Sequence, residues 1–223
     1  KTVVVRLVKT LERLGFVERN PQTSTYSLGN SVAKLAYVIE SHERLVRVAQ
    51  PFMQRLSDIT SETILLCAET EHGWPMLLSV VTARYLVRSD AVGKGFRVGL
   101  GSVEARVFVA FRSKGDWDRF IVEAQRHEPS LNLREAREDL ERVRREGVAF
   151  LFQDPNREIG TVAVPVFGPH GAVKATLTVI TPFERFGERE SVAQADAARE
   201  IAADLSEGLG APQERAEFLR KKV

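Results

Sequence analysis

The feature that most constrains this chain is its first twenty-nine residues, which combine one helical pattern with two short alternating segments. The apolar positions of the helical part are Val4, Leu7, Val8, Leu11 and Leu14. That spacing predicts a helix with one buried stripe. Gly15 ends the pattern, and a left-handed glycine closes many helices. Residues 16–19 and 24–28 then alternate as strands, with a turn at Asn20-Pro21-Gln22-Thr23 between them.

The opposite face of this helix is basic. The candidate DNA contacts are Lys1, Thr2, Arg6, Lys9, Thr10 and Arg13 on the helix, with Arg19 and Thr23 on the strand–turn–strand segment. Residues 1–29 hold five basic and two acidic residues, a net charge of +3. Such side chains suit phosphate oxygens and base edges in a major groove. The pattern indicates the second half of a winged helix-turn-helix, and the alternative is an ordinary amphipathic helix packed on a hairpin.

This segment resembles the DNA-binding domain of IclR-type bacterial transcription regulators. The residues that carry the resemblance are Lys1, Val4, Arg6, Leu7, Thr10 and Leu11 on the helix, and 15–19 and 26–29 on the hairpin. The family usually has Ser and Thr where this chain has Thr2 and Val3, so no base contact is assigned to Val3. The resemblance implies a ligand-responsive, sequence-specific DNA-binding regulator of a catabolic or metabolic operon.

The sequence begins inside this motif and without Met. A winged domain needs further helices to support the helix that enters the groove. We therefore expect the winged helix-turn-helix head to be N-terminally truncated in this sequence.

Charge is distributed unevenly along the 223 residues. Residues 30–209 carry 23 basic and 26 acidic residues, a net charge of −3, between two basic ends. This distribution suits a DNA-binding head on a sensor body. We expect a head at residues 1–29, a linker helix at 30–44, an effector domain at 45–209 and a solvated basic tail at 210–223.

The middle of the chain reads as helices around an antiparallel sheet. Helical spacing runs over Asn30–Glu43 and on to Thr60, with Pro51 either kinking this run or starting a new helix. Strands are predicted at 63–69, 76–82, 86–89, 148–152, 161–167 and 173–180. A glycine-rich loop holds Gly93, Gly95, Gly99 and Gly101. Four further helices are predicted. One spans 103–112 and is buried on one side, one begins at a cap formed by Asp116, one spans 133–146, and the last begins at Ser191. The fold class is α+β, and it resembles the GAF-like effector domain of the IclR family.

The resemblance also implies an effector site. Its residues are Leu100, Gly101, Ser102, Val103, Glu104, Asp154, Thr161, Thr178, Ile180 and Thr181. The family usually has His at Leu100, Ser at Ile180 and a small or apolar residue at Glu104, and its usual Lys is Arg106 here. These departures lead us to expect a larger effector, an aromatic or partly apolar acid. The alternative is that Glu104 points to solvent and pairs with a nearby Arg.

The remaining features favour a cytoplasmic, non-enzymatic protein. Cys67 is the single cysteine and is predicted to be buried, which leaves no disulfide framework. No apolar run reaches the roughly 18 residues of a membrane span. The four histidines are scattered: His42, His72, His127 and His170. We expect no catalytic residues, metal site, cofactor or membrane contact.

The partners that we expect are double-stranded operator DNA, a small-molecule effector and a second copy of the chain. A homodimer or a dimer of dimers would read near-palindromic half-sites. Two alternatives stay open at this point. One is a sensor whose basic head docks a protein, and the other is an enzyme built on the sheet with Cys67 or a histidine.

Overall fold

The computed structural model describes residues 2–82, 99–152 and 159–221, without the side chains of Thr2 and residues 37–39. The chain forms two compact units, Lys1–Arg47 and Val48–Val223. The predictions for Lys1, Gly93, Gly95, Asp154 and a strand at 86–89 fall outside the described residues. The domain boundaries predicted at residues 29, 44 and 209 stay predictions.

The first unit begins with helix α1 (Thr2–Arg13) and a hairpin of β1 (Val17–Arg19) and β2 (Tyr26–Leu28). Gly15 follows α1 with a φ of +71°, the left-handed conformation that glycine adopts without strain. In the hairpin turn, Asn20 Oδ1 accepts hydrogen bonds from the backbone N–H groups of Gln22 and Thr23, at 2.9 and 3.2 Å. The predicted order of helix, strand, turn and strand is confirmed.

The apolar stripe of α1 is exposed, so the prediction of a buried stripe is wrong. Val4, Leu7 and Leu14 are 63%, 58% and 53% exposed. Val8 and Leu11 are half-buried. Among the described residues of this unit, a hairpin of two short strands and the start of the next helix provide too little apolar surface to cover the stripe. The spacing of apolar residues shows which side chains favour burial, but it cannot show whether another segment is present to cover them.

One long helix, α2 (Asn30–Thr60), follows the hairpin and passes Pro51 without ending. The option that Pro51 starts a new helix is therefore wrong. Proline has no N–H to donate to the carbonyl four residues earlier, but the following residues continue the helix. Ala49, Met53 and Leu56 are fully buried and lie at helical spacing on one face.

The second unit is built on a five-stranded antiparallel sheet, which confirms the α+β class. Its strands are β3 (Thr63–Glu69), β4 (Pro75–Val81), β5 (Ala149–Leu151), β6 (Ile159–Phe167) and β7 (Val173–Pro182). Their order across the sheet is β4-β3-β7-β6-β5. The β6–β7 hairpin turns at residues 168–171, where the Gly168 N–H donates to the Ala172 carbonyl oxygen at 2.9 Å.

Three helices pack together beside this sheet: α3 (Val103–Ala110), α4 (Lys114–His127) and α5 (Leu133–Glu146). Helix α3 is buried nearly all round, since only Arg106 among its eight residues is half-exposed. The prediction of a one-sided helix is wrong because α3 lies between the sheet and α5. The cap of α4 is Ser113, whose Oγ accepts from the Asp116 N–H, and not Asp116 itself. Helix α5 ends at Gly147 with a φ of +68°, as predicted.

The chain ends on the other side of the sheet. Helix α6 (Glu188–Gly208) follows a short 3-10 turn (Phe183–Arg185) and packs against β6. Helix α7 (Gln213–Arg220) packs on α6 with Ala216 and Leu219 buried. The buried Arg199 of α6 donates from Nε to the Leu219 carbonyl oxygen at 3.1 Å. The prediction of a solvated tail after residue 209 is therefore wrong.

Within the described ranges, no helix is long and apolar enough to cross a membrane. In the same ranges, no group of three or more His, Cys, Asp or Glu side chains could hold a metal ion.

Gly160 of β6 provides a test of this packing. A Cβ at residue 160 would overlap the ring of Phe186, which is 5% exposed and has little room to move. We expect Gly160→Ala to lower the free energy of unfolding by about 1–3 kcal/mol. Urea denaturation followed by circular dichroism measures this change.

Gly115→Ala is the matched control, because the nearest neighbour of its added Cβ is Ser113 Oγ at 3.9 Å, an ordinary contact. Gly115 lies in the first turn of α4, where alanine should be neutral or stabilising by up to about 1 kcal/mol. Equal losses in the two variants would contradict the packing at Gly160.

Candidate functional site

The sheet face that lies under α3 carries a group of buried polar side chains. Strand pairing places Cys67 opposite Thr176, Leu65 opposite Thr178, and Ile180 opposite Thr161. Because side chains alternate along a strand, all of these residues point to the same face. Thr161, Thr176 and Thr178 are 6%, 0% and 0% exposed. We call Cys67, Glu104, Thr161, Thr176 and Thr178 the polar cluster.

Glu104 enters the cluster from the first turn of α3. Ser102 caps this helix by accepting a hydrogen bond from the Ala105 N–H at 3.1 Å. Glu104 is only 4% exposed, so the alternative of a solvent-facing side chain is wrong. No Lys or Arg of the described segments forms an ion pair with it. Burial raises the pKa of the Glu104 carboxyl, and its own backbone N–H, Thr178, Ser102 and the charge of Arg106 offset this rise in part.

The three threonine hydroxyls have no hydrogen-bond partner among the described residues. Thr178 is near enough to Glu104 to lower its pKa, although its hydroxyl does not reach hydrogen-bonding geometry. A buried hydroxyl without a partner is costly, and most buried polar atoms in proteins have one. Three such hydroxyls on one face make this face the candidate site for a ligand.

Cys67 is the cluster's fifth member and is fully buried. Burial raises the pKa of its thiol well above the ordinary value, and the charge of Glu104 raises it further. Thr176 is near enough to the thiol to offset part of this rise, although its hydroxyl does not reach hydrogen-bonding geometry. The thiol therefore stays protonated at neutral pH and has the character of a small apolar group with a weak donor.

An apolar wall adjoins the polar cluster. It consists of Leu65, Cys67, Leu77 and Ile180, with Val80 and Ile159 packed against them. A site with one polar end and one apolar side suits a small molecule that has both kinds of surface.

The structure brings some of the predicted effector residues together and separates others. Thr161, Thr178 and Ile180 share the sheet face under α3, and Glu104 of α3 lies beside Thr178. Thr181 follows Ile180 on the same strand and therefore points to the opposite face of the sheet. There its Oγ1 donates to Gln194 Oε1 of α6 at 3.1 Å. Val103 is part of the core between α3, α4 and α5. Asp154 lies outside the described residues.

Leu100 and Gly101 line a separate cleft of about 270 Å³ between α3, α5 and β5. Arg106 also lines it, on the side of α3 turned away from Glu104. Its Nη1 pairs with Asp139 Oδ2 at 3.1 Å and its Nη2 donates to the Phe150 carbonyl oxygen at 2.9 Å. Arg106 is therefore held by other partners and does not neutralise Glu104 by direct contact.

Sequence reasoning missed two members of the cluster. Thr176 precedes Thr178 by two residues on a predicted strand, so strand alternation was a sufficient signal for it. Cys67 was predicted only as a buried small residue, because its place opposite Thr176 depends on which strands pair and in which register.

The predicted DNA contacts lie in the first unit. Arg6, Lys9, Thr10 and Arg13 are exposed on α1. On the hairpin, Arg19 Nη2 donates to Ser24 Oγ at 3.1 Å, and Thr23 Oγ1 lies 2.7 Å from Thr25 Oγ1. Lys1 and the side chain of Thr2 are outside the described structure. Contact of these residues with DNA stays a prediction.

Comparison with known proteins gives one family. Residues 37–207 match the family described as bacterial transcriptional regulator IclR, C-terminal. The chain is 28% identical over 216 residues to the HTH-type transcriptional regulator KdgR of Escherichia coli, covering 92% of this chain and 81% of KdgR.

Solved structures share the fold. One is a putative IclR transcriptional regulator from Silicibacter sp. TM1040, with a TM-score of 0.71 and 24% identity, covering 95% of this chain and 84% of that one. Another is an IclR homolog from Microbacterium hydrocarbonoxydans, solved in complex with 4-hydroxybenzoate. Its TM-score is 0.66 at 21% identity, covering 93% of this chain and 85% of that one.

Thr181 and Thr178 lie on opposite faces of β7, so we expect replacing each by valine to change the stability of the protein differently. Thr181→Val removes the hydroxyl that bonds Gln194 and should lower the free energy of unfolding by about 1–3 kcal/mol. Thr178→Val removes a hydroxyl without a partner, so its effect on the ligand-free protein should be neutral or stabilising. Urea denaturation of both variants tests the assignment, which fails if Thr178→Val is the more damaging one.

Glu104 predicts a pH dependence of stability. Its pKa is raised above the ordinary value of 4.5 in the folded state, so the unfolded chain loses this proton first as pH rises. The free energy of unfolding should therefore fall as pH rises from about 4.5 through the folded pKa, by up to about 1.4 kcal/mol per pH unit. Glu104→Gln removes this penalty, so its stability relative to the wild type should grow with pH.

Glu141→Gln is the control of opposite sign. Its hydrogen bond and ion pair with Lys114, at 2.9 Å, lower the pKa of the Glu141 carboxyl. This carboxylate stabilises the fold above its unfolded pKa, and that contribution is lost as pH falls. Urea titrations from pH 4 to 8 should show the Glu104→Gln and Glu141→Gln variants diverging from the wild type in opposite directions.

Proposed function

Because the chain belongs to the IclR family of bacterial transcriptional regulators, we propose that it is a ligand-responsive, DNA-binding regulator. Its N-terminal unit binds operator DNA, and its sheet domain binds a small-molecule effector. The observation that carries the effector part is the buried polar cluster, where three hydroxyls lack partners within the described ranges.

The first unit supports the DNA-binding part through its shape and charge. A helix with an exposed basic face, followed by a short antiparallel hairpin, has the form of a recognition helix and wing. Arg6, Lys9 and Arg13 occupy that face and are open to solvent. In this proposal they contact phosphates or bases, while Arg19 and Thr23 of the hairpin contact the backbone.

The sheet face under α3 supports the effector part. The solved relative from Microbacterium holds 4-hydroxybenzoate, and a molecule that combines polar groups with an apolar ring suits a site with a polar end and an apolar wall. The effector proposed for this chain is aromatic or partly apolar. Whether its polar end is an acid, as the sequence led us to expect, depends on Glu104 and is taken up below.

Coupling between the two parts is proposed to run through α2. This helix spans residues 30–60 and so contains the boundary between the two compact units. An effector alters operator affinity only by its differential affinity for two conformations. A typical coupling of about 1–3 kcal/mol changes operator affinity by about 5- to 150-fold. The protein acts in the cytoplasm as a homodimer or a dimer of dimers, which matches near-palindromic operators.

Arg6→Ala tests the DNA-binding part. Duplexes selected from a random pool by the natural full-length protein supply the operator, and fluorescence anisotropy measures affinity over a range of salt concentrations. We expect a loss of about 1–3 kcal/mol on the operator alone if Arg6 reads a base. A loss on all duplexes, with a salt slope smaller by about one, identifies a phosphate contact.

Arg189→Ala is the matched control, because Arg189 is an exposed arginine of α6 in the second unit and its removal changes the net charge equally. It should leave operator affinity unchanged. Failure of the full-length protein to select any duplex at low salt would reject the DNA-binding function and favour a protein partner for the basic head.

A further inference from the structure

The polar cluster contains one ionisable carboxyl and no base. Glu104 is 4% exposed, and no cation of the described segments forms an ion pair with it. The cation nearest along α3, Arg106, is bound to Asp139 and to the Phe150 carbonyl oxygen on the other side of the helix. Within residues 2–82, 99–152 and 159–221, no positive side chain is paired with Glu104 that could offset the charge of a group entering the cluster.

This arrangement disfavours an anionic ligand. A carboxylate placed beside Glu104 would be a second negative charge in a buried site, and two such groups cannot both ionise there without a large penalty. The hydroxyls of Thr161, Thr176 and Thr178 could donate to a ligand, but they are neutral and cannot offset the repulsion.

The same arrangement favours a ligand that donates hydrogen bonds. An ionised Glu104 only accepts hydrogen bonds, and each threonine hydroxyl can both donate and accept. A hydroxyl on the ligand would donate one hydrogen bond to Glu104 and could accept from a threonine hydroxyl, and a primary ammonium would donate up to three hydrogen bonds to these side chains. An ammonium would also supply the positive charge that the cluster lacks, which strengthens such bonds.

The remainder of the ligand faces apolar side chains. Leu65, Leu77 and Ile180 form the wall beside the cluster, with Val80 and Ile159 behind them. They give no partner to a second polar group, so the body of the ligand should be hydrocarbon or an aromatic ring.

We propose that the effector presents a hydrogen-bond-donating polar end without negative charge, a hydroxyl or an amine, to Glu104, and an apolar body to the Leu65–Ile180 wall. This proposal rests on the proposed effector site. It differs from the acid expected from the sequence, because the sequence could not show that Glu104 is buried and forms no ion pair with the cations of the described residues.

The test is a panel of matched ligands. Each apolar body (phenyl, cyclohexyl, and alkyl chains of about four to six carbons) is offered as the carboxylate, primary alcohol and amine. Thermal shift and calorimetry at pH 7 measure binding to the natural full-length protein and to Glu104→Gln. The alcohol arm and the amine arm separate a neutral donor from a cationic one.

We expect at least one alcohol or amine to bind the wild type about tenfold or more tightly than its matched carboxylate, because like charges repel. Glu104→Gln should reduce or reverse this preference, since glutamine carries no charge. Its fold is checked by the denaturation described above. Thr178→Val, which keeps Glu104, should weaken the bound alcohol or amine without restoring the carboxylate.

Two results would overturn the proposal. One is a carboxylate that binds the wild type more tightly than its matched alcohol and amine. The other is a panel in which no alcohol or amine stabilises the wild type. If a carboxylate binds, is weakened by Thr178→Val and alters operator affinity, the effector site and the proposed function stand and only the charge assignment falls. If the protein selects no duplex in the DNA-binding test, the proposed function fails whatever the ligand panel shows.

Discussion

The alternation of side chains along β7 is the constraint on which the second unit depends. Paired on both sides by β3 and β6, this strand cannot shift by one residue without exchanging its two faces. Ala175, Leu177 and Val179 on one face are fully buried, and Thr181 of that face bonds α6. Thr176, Thr178 and Ile180 must then face α3. The polar cluster is thus fixed by the same register that places the apolar core on the other side.

Helix α3 covers this face of the sheet and adds Glu104 to the polar side chains of the strands. It lies between the sheet and α5, so nearly every position along it is buried, and Glu104 is only 4% exposed. Helical geometry places Arg106 about 200° around the axis from Glu104, because successive residues are about 100° apart. The positive charge closest in sequence is thereby directed into another cleft, where Asp139 holds it at 3.1 Å. Among the residues that the structure describes, the lack of an ion pair at Glu104 follows from where α3 lies, and a list of nearby residue types would not reveal it.

Much of the fold could be predicted from local sequence signals. Gly15, Gly147 and the 168–171 turn mark real element ends, because a left-handed residue or a tight turn leaves a local signature. The burial of a side chain or a helix depends on segments that are distant in sequence, and it could not be predicted from local signals. The exposure of Leu7, the burial of α3 all round and the docking of α7 each depend on what other segments supply. For the site, Thr161 and Thr178 came from a family resemblance, while the orientation of Thr181 required the observed register.

The cost of burying Glu104 connects stability with function. A carboxyl whose pKa is raised by burial destabilises the folded state at neutral pH, as do buried hydroxyls without partners. Such local penalties persist only where the surrounding structure fixes the conformation, and they concentrate at functional sites. The strands β3, β6 and β7, which are buried along most of their length, provide that fixed frame. In the proposed function, a ligand that completed these hydrogen bonds would remove the penalty only in the conformation that forms the cluster. Its binding energy would then favour that conformation, which is the differential affinity that an effector needs in order to shift an equilibrium.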